Sequence, residues 1–311
     1  MSNIRVSKFK DGPVRKSRVG IIIKKTVIVI ASFIIAMFFL MPMILTVSNS
    51  FMSTTEINAN YGKVFATSNS GGKVYISDVV KLKLIPERVT GEQYITVLFK
   101  SPDYLFKFWN SVIYTVPIAL LQILLALGAS YAFSRIQGKW KEVLFFIYII
   151  VCLMPYQVTL VPNYIVADWF HILNTRWAIW LPGISSPFAV YLLTKFMKRI
   201  PKALYEAARV DGANEFKMFT AISMPLCKGA AFSVGILIFI DYWNMVELPY
   251  ILLSKAENLQ PLSIFLSKIN AGEVGLAFAV AVIYMVPCIL LFLYGEDYLV
   301  EGITTQGGVK G

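Results

Sequence analysis

Six apolar stretches, each about 20 residues long, constrain this chain more than any other feature of its sequence. At 1.5 Å per residue, a helix of about 20 residues crosses the roughly 30 Å hydrocarbon core of a bilayer. Helices are the only open-chain structures that satisfy all of their backbone hydrogen bonds inside hydrocarbon. The pattern therefore predicts an all-α membrane protein with six transmembrane helices, at about Val27–Val47, Asn110–Phe133, Val143–Ala167, Trp177–Phe196, Gly229–Leu253 and Gly275–Tyr294.

The composition agrees with a chain that faces lipid rather than water. Hydrophobic residues make up 57% of the sequence and charged residues only 15%, and the mean hydropathy is +0.65. In soluble proteins, about a quarter of the residues are charged. The net charge of +11 could indicate a nucleic-acid partner, but the basic residues lie in short blocks between the apolar stretches. That arrangement is typical of a multispanning membrane protein, so we expect no nucleic-acid partner.

Few residues of the chain could support metal binding or catalysis. The single histidine, His171, excludes a multi-histidine metal site within this chain. The three cysteines, Cys152, Cys227 and Cys288, lie inside or at the edge of apolar stretches, so they predict neither a disulfide framework nor a metal site. No paired carboxylates and no nucleophile–base motif lie within the predicted spans. We therefore expect a protein that is not an enzyme and holds no metal.

Lysine and arginine residues orient the predicted spans. Residues 1–25 carry eight of them against the single acidic Asp11, and the positive-inside rule places such a segment in the cytoplasm. A cleaved signal peptide is disfavoured for the first stretch, because its apolar region would be about 7–15 residues long. The basic loops 134–142 and 197–228 then also fall on the cytoplasmic side. The sequence predicts a basic cytoplasmic N-terminus at 1–26, a first transmembrane helix at 27–47 and a cytoplasmic C-terminal tail at 296–311.

The polar stretch 48–107 separates the first two spans and falls on the extracytoplasmic side. It contains clusters of serine, threonine, asparagine and glycine, which are typical of turns. Within it, Lys73–Ser77 alternates between polar and apolar residues as a strand does. A small extracytoplasmic subdomain and a solvated loop are equally compatible with this composition.

The segment from Pro201 to Pro225 predicts two short helices that meet at a bend. Proline suits the first turn of a helix, and the residues from Leu204 to Arg209 are mostly good helix formers. Gly212 can adopt the positive φ that ends a helix and turns the chain. Glu206 and Arg209 lie on one face beside small alanines, which would let another protein approach closely. From periodicity alone, a solvated connector between two spans is the alternative.

The spacing within this segment resembles the EAA loop of binding-protein-dependent ABC importer permeases. Glu206-Ala207-Ala208 is followed after three residues by Gly212, and after nine more by Ile222, Ser223, Met224 and Pro225. Met224 departs from the leucine that is usual at its position. Further motifs in the same order are similar to those of the maltose-type carbohydrate permeases, so that the resemblance covers about residues 108–311. These motifs are Asn110-Ser111, Ser130–Arg135, Met154-Pro155, Val161-Pro162, Leu173-Asn174-Thr175, Trp243-Asn244, Tyr298–Thr304 and Gly308–Gly311.

The resemblance implies a type I ABC importer in a bacterial cell membrane. In that family, two permease subunits form the path, two cytoplasmic ATPases use ATP and Mg, and an extracytoplasmic solute-binding protein delivers the solute. This chain would be one permease with a core at 108–295, and its tail favours a different chain as the second permease. It has no G-x-x-x-x-G-K-[S/T] phosphate loop, so we expect no cofactor on this chain. The coupling to the ATPase is assigned to Glu206, Ala207, Ala208, Arg209, Asp211 and Gly212.

The resemblance further implies a sugar, most simply an oligosaccharide, as the transported solute. The insert 48–107 is longer than the family's common loop, which leaves the substrate class open. A non-carbohydrate polar solute such as a polyol phosphate is therefore the alternative.

A polar group inside the fifth predicted span is the candidate for substrate contact in the path. Asp241, Tyr242, Trp243 and Asn244 combine aromatic rings with carboxylate and amide groups, which suits a sugar. An aspartate inside a membrane costs about 2.5–3.5 kcal/mol on insertion scales, so it should face the bundle or water. Packing between helices is the alternative for this group. In a third function class, a self-powered secondary transporter, Asp241 would bind a coupling proton or cation, and uptake would survive ATP depletion.

The glycine-rich end of the chain generates one testable prediction. Such a segment is expected to be mobile in isolation, but in the maltose-type system the corresponding tail enters the ATPase dimer interface. Deletion of the tail is expected to change the rate of transport-coupled ATP hydrolysis, measured on the purified complex with and without it. An unaltered rate would remove this assignment. The residues concerned are Gln306, Gly307, Gly308, Val309, Lys310 and Gly311.

Overall fold

The computed structural model describes residues 18–57, 59–60, 83–136, 138–269 and 274–304. In this part of the chain, helices and connecting turns make up the whole structure, which confirms the predicted all-α class. The predicted strand-like alternation at 73–77 and the predicted tail contacts at 306–311 lie outside the described residues.

Most of the helices are joined by short connections. In chain order they are α1 (Arg18–Asn49), α2 (Glu92–Ile95) with a π-helical turn at Thr96–Lys100, α3 (Pro102–Arg135), α4 (Lys139–Cys152), α5 (Tyr156–Trp169), α6 (Trp177–Gly183), α7 (Pro187–Met197), α8 (Lys202–Val210), α9 (Glu215–Met218) with a π-helical turn at Phe219–Ser223, α10 (Met224–Leu226), α11 (Lys228–Trp243), α12 (Glu247–Leu252), a 3₁₀ turn at Glu257–Leu259, α13 (Leu262–Ser267) and α14 (Val274–Thr304).

Length and composition of the helices agree with the prediction of six spans. Within the described residues, four helical segments are each long and apolar enough to cross a membrane, and two bent pairs of shorter helices complete the six. The bend between α4 and α5 is 97°. The second bent pair consists of the segment Glu215–Leu226, which ends with α10, and helix α11, and its bend is 72°. The four segments are Lys24–Asn49, Pro102–Arg135, Trp177–Met197 and Gly275–Tyr298.

The third predicted span, 143–167, is broken, which corrects the expectation of one continuous helix. α4 ends at Cys152 and α5 begins at Tyr156. Pro155 lies in the gap with an extended backbone. Proline has no N–H to donate and disfavours the helical conformation of the residue before it, which favours a break at this position.

The fifth predicted span, 229–253, is interrupted as well. α11 ends at Trp243 and α12 begins at Glu247. Pro249 cannot donate a backbone hydrogen bond to the carbonyl group of Met245, so a continuous helix would lack one backbone hydrogen bond there. At the end of α11, the side-chain amide of Asn244 donates to the carbonyl oxygen of Ile240 at 2.8 Å. The residues predicted to lie in mid-span therefore lie at the end of a helix.

Two predicted boundaries also shift. α3 begins at Pro102, so the last residues of the predicted 48–107 loop are helical. Proline is preorganised for the first helical position, and Asp103 forms an ion pair with Lys107 one turn later. α14 runs to Thr304, past the predicted start of the tail at 296. The tail therefore begins as a continuation of the last helix.

α3 lies at the centre of the helical assembly and packs against both α7 and α11. Two of its buried polar side chains bond backbone carbonyl groups of the fourth span, Trp177–Met197. The Gln122 amide donates to the carbonyl oxygen of Gly183, and Ser130 Oγ donates to that of Val190 at 2.9 Å. A Cβ atom at position 183 would lie 2.8 Å from Cδ1 of the fully buried Ile118. The glycine therefore permits the close approach of the two spans.

The N-terminal half of α3 holds the outer loop that connects α12 to α13. The Asn110 side-chain amide donates to the carbonyl oxygens of Asn258 at 2.8 Å and Gln260 at 3.2 Å. Ser111 Oγ accepts from the backbone N–H of Leu262 at 3.0 Å. The motif Asn110-Ser111, noted in the sequence only for its resemblance, thus fixes the path of a loop about 150 residues later in the chain.

The described parts of the 48–107 stretch pack onto the outer helix ends. Gln93 Nε2 donates to the carbonyl oxygen of Met52, whose side chain is fully buried. The Glu56 carboxylate accepts from the backbone N–H of Glu87 at 2.9 Å and lies 3.3 Å from Lys83 Nζ. The Glu87 N–H and then Lys83 lower the pKa of the Glu56 carboxyl, since both favour its charged form. Contacts between residues far apart in sequence therefore order this region.

Removal of the Asn110 amide tests the role of α3 as the support of the outer loop. Asn110→Ala leaves two loop carbonyl groups without their donor, which is expected to lower the local free energy of opening by about 1–3 kcal/mol. Faster amide hydrogen exchange across 253–262 in purified protein would report this loss. Asn163→Ala, which removes an amide from α5, is the matched control. Unchanged exchange in Asn110→Ala would contradict the assignment.

Candidate functional site

The predicted bend at Gly212 is present, and its hydrogen bonds explain the sequence at this position. The N–H of Gly212 donates to the carbonyl oxygen of Arg209 at 3.0 Å, and the N–H of Ala213 donates to that of Ala208 at 2.9 Å. This pairing is the Schellman motif that ends many helices. Gly212 has a φ of +79°, which a residue without a Cβ atom adopts without strain. We call α8, α9 and the turn between them the elbow.

The second arm of the elbow, α9, begins directly after the turn. Asn214 caps α9, since its Oδ1 accepts from the backbone N–H of Lys217 at 2.8 Å. Across the turn, Arg209 forms an ion pair with Glu215 at 2.8 Å. Both side chains are exposed, so water screens this pair and it contributes little to stability. The backbone bonds and the cap therefore fix the bend more than the ion pair does.

A buried tyrosine attaches the first arm to the rest of the molecule. Tyr205 is only 5% exposed, although most of its neighbours in α8 are exposed. Its hydroxyl group forms a hydrogen bond with Ser223 Oγ at 2.7 Å, which joins α8 to the π-helical turn after α9. Tyr205 had no predicted role, and Ser223 was noted only as part of the motif that carries the resemblance. A lone aromatic residue among the polar and small residues of an amphipathic helix was the signal that could have identified the buried face.

The outward face of the elbow presents most of the residues predicted for coupling. The side chains of Glu206, Ala207, Arg209 and Asp211 are exposed, as is Gly212. Ala208 is half-buried and packs against the hydrophobic core, so it supports the elbow rather than presenting its outward face.

Two apolar side chains beside this face were not predicted. Val210 is 89% exposed and Phe216 is 73% exposed, one on each arm of the elbow. Apolar groups that protrude beside a polar rim are typical of a surface that binds another protein. In the sequence, their positions on either side of the turn at Gly212 could have identified these two residues. The elbow therefore combines polar, small and protruding apolar groups on one accessible surface.

The four residues predicted for the path divide into buried and accessible side chains. Trp243 is 1% exposed, and its ring stacks on Phe239 and Tyr284 and meets the edge of Phe108, with centroids 5.3–5.6 Å apart. Its Nε1 donates to the carbonyl oxygen of Tyr284 at 3.1 Å. In this conformation the ring of Trp243 is enclosed in an aromatic cluster, which is the arrangement that the packing alternative describes.

The other three predicted residues stay accessible at the end of α11. Asp241 and Asn244 are exposed, and Tyr242 is half-buried. Asn244 Oδ1 accepts from the Tyr284 hydroxyl group at 3.1 Å, which fixes its orientation. The break in the fifth span thus leaves polar side chains accessible at the end of a helix.

Comparison with protein families and curated proteins gives consistent matches. Residues 94–303 match the family described as binding-protein-dependent transport system inner membrane component. The chain is 28% identical over 229 residues to an arabinooligosaccharides transport system permease protein of Halalkalibacterium halodurans, across 73% of this chain and 81% of that protein. It is 32% identical over 209 residues to an osmoprotective compounds uptake permease protein of Synechocystis, across 65% and 70%. It is 30% identical over 236 residues to an alpha-glucoside transport system permease protein of Rhizobium meliloti, across 73% and 62%.

Solved structures share the fold. A chain of a bacterial ABC transporter involved in the import of the acidic polysaccharide alginate matches with a TM-score of 0.71 and 22% identity, across 91% of this chain and 98% of that chain. A second structure, of an alginate ABC transporter in complex with an alginate pentasaccharide-bound periplasmic protein, matches with a TM-score of 0.59 and 15% identity, across 90% and 96%. At such identities the likeness establishes the arrangement of the helices and nothing finer.

Cysteine replacements at the end of α11 test which side chains reach water. In a background without native cysteines, Asp241→Cys and Asn244→Cys in membrane vesicles are expected to react with a water-soluble maleimide. Trp243→Cys is expected to react about tenfold more slowly, because aromatic rings enclose its site and a thiol needs access to react. Rates are measured by mass spectrometry of the purified protein. Equal rates at positions 243 and 244 would contradict the buried placement of Trp243.

Proposed function

This chain belongs to the family of binding-protein-dependent transport system inner membrane components, and from that membership we propose that it forms half of the path of an ATP-driven sugar importer. It is the permease subunit, it binds no cofactor, and it performs no hydrolysis itself. ATP and Mg are used by separate ATPase subunits. Its multispanning fold agrees with a position in a bacterial cell membrane, with the N-terminus and C-terminus in the cytoplasm.

The observation that carries this proposal is the elbow itself. A sharply turned pair of helices protrudes with an accessible face, while the buried Tyr205 ties it to the helices behind it. A merely solvated connector needs neither a Schellman turn nor apolar side chains as exposed as Val210 and Phe216. These features support a surface on which a moving partner acts. We assign that partner as one of two cytoplasmic ATPases.

The proposed partners follow from the same family. A second permease, most simply a different chain, completes the path, and an extracytoplasmic solute-binding protein delivers the solute. The fold match to a transporter in complex with a periplasmic protein supports the last of these partners. Closure of the ATPases pushes the elbow, and the helices behind it move between two arrangements of the path.

A sugar is the solute that the relatives support best. Relatives named for arabinooligosaccharides and alpha-glucosides cover most of the permease core. In the path, the accessible Asp241, Tyr242 and Asn244 offer an aromatic face with hydrogen-bonding groups, which matches the mixed surface of a sugar. The aromatic cluster around Trp243 holds the end of α11, which carries these three side chains.

One relative favours a second solute class. It is named for the uptake of osmoprotective compounds, so a small polar solute other than an oligosaccharide is the alternative. Titration of the cognate solute-binding protein with oligosaccharides, polyol phosphates and small osmolytes separates the two. Selective binding of an oligosaccharide supports the proposal, and selective binding of a polyol phosphate or osmolyte supports the alternative.

Two substitutions in the elbow test the coupling role. Gly212→Pro removes the N–H that donates to Arg209 and imposes a φ near −65° where +79° is required, so it should unfold the bend. Glu206→Lys reverses the charge on the docking face. Both should leave membrane insertion intact and abolish ATP-driven uptake, measured in membrane vesicles, together with co-purification of the ATPase.

A conservative variant provides the control. Asparagine tolerates the left-handed conformation, so Gly212→Asn is expected to retain most of the uptake. Full uptake with Gly212→Pro or with Glu206→Lys would refute the assignment of the elbow to coupling. Uptake that persists without ATP and collapses with the ion gradient would refute the importer class itself.

A further inference from the structure

Arg135 connects three elements at the base of the elbow. It is the last residue of α3, and its Nη2 donates to the carbonyl oxygen of Met197 at 3.1 Å. Met197 ends α7, where carbonyl groups lack intrahelical partners and carry the negative end of the helix dipole. The Arg135 guanidinium also lies over the ring of Tyr205, 3.4 Å from its centroid. One side chain thus contacts α3, the end of α7 and the first arm of the elbow.

The second arm of the elbow is held from the same face of α3. Tyr131 lies one turn before Arg135, and its hydroxyl group donates to Glu215 Oε2 at 2.6 Å. Its ring packs on Phe219, with centroids 5.3 Å apart. Since residues four apart in a helix share a face, Arg135 and Tyr131 together grip both arms. The last turn of α3 is therefore in direct contact with both arms of the elbow.

The chemistry of this contact needs arginine. A planar guanidinium can stack on an aromatic ring and donate sideways to a carbonyl group at the same time, which a lysine ammonium group cannot do. Tyr205 is buried, so water does not compete strongly for the contact. Its hydroxyl group is held by Ser223, which keeps the ring in place for the stack.

We infer that Arg135 is a positioning residue that transmits the displacement of the elbow to α3. This inference rests on the proposed function, since it assumes that an ATPase moves the elbow. α3 reaches from the elbow to the outer loop, which it holds through Asn110 and Ser111. A push on Tyr205 therefore passes through Arg135 into the helix that also supports the outer face. Without Arg135, the ATPase can bind and hydrolyse ATP while the path follows its motion poorly.

The test measures uptake and hydrolysis in the same reconstituted complex. Labelled arabinotriose or maltotriose, whichever the unchanged complex takes up, serves as the probe. Arg135→Met and Tyr205→Leu are each expected to lower the number of sugars taken up per ATP hydrolysed about tenfold, with the ATPase still bound. Arg135→Lys should be intermediate. Tyr205→Phe keeps the ring but loses the bond to Ser223, so its ratio should lie between those of Tyr205→Leu and the unchanged complex.

Two comparisons make the result specific. Lys141→Met is the matched control, because it removes another cation from the same end of the molecule, where Lys141 donates to the carbonyl oxygen of Ile136. The double variant Arg135→Met with Tyr205→Leu should lose no more than either single variant, since both break the same contact.

Three outcomes would overturn the inference. They are an unchanged ratio of uptake to hydrolysis in Arg135→Met, a double variant whose loss equals the product of the single losses, and failure of both Arg135→Met and Arg135→Lys to assemble with the ATPase. The last would show that Arg135 only holds the fold. Absence of ATP-driven uptake of either sugar in the unchanged complex would count instead against the proposed sugar import.

Discussion

The long helix α3 is the element on which the rest of the structure depends. It is 34 residues long, or about 51 Å, which exceeds the thickness of a hydrocarbon core. Its buried polar side chains bond backbone carbonyl groups of other spans, and in hydrocarbon no water can replace those partners. Near one end it fixes the outer loop, and at the other it grips the elbow. The two faces of the membrane are thereby joined by one continuous element.

In contrast to α3, two of the other spans are broken. α4 and α5 meet at 97°, and α11 stops at Trp243, in both cases close to a proline. Such irregular backbone is tolerated at membrane depth only where protein buries it or where it lines a water-filled cavity. The accessible Asp241 and Asn244 lie at one of these breaks. The structure combines one long continuous helix with broken helices that expose polar groups. This combination suits alternating access.

Much of this arrangement could be predicted from the sequence. Apolar stretches of bilayer length predicted the spans, and the spacing around Gly212 predicted the turned helix pair, because both depend on local backbone geometry. The breaks were missed since proline alone does not decide whether a membrane helix kinks, breaks or continues. For Trp243, packing and substrate contact both stayed open, because its cluster draws Phe108 and Tyr284 from other helices and no local pattern encodes that packing. Arg135 and Tyr205 likewise lie 70 residues apart and meet only in the fold.

Photo-cross-linking from position 210, whose side chain is 89% exposed beside the turn, determines whether the elbow meets a nucleotide-driven partner in the cytoplasm. In intact cells, we expect a covalent adduct between this position and an ATPase subunit. We also expect a membrane-impermeant thiol reagent added outside to leave Val210→Cys unmodified. An adduct with an extracytoplasmic protein, or modification of that cysteine from outside, would show that the elbow does not couple to a cytoplasmic ATPase.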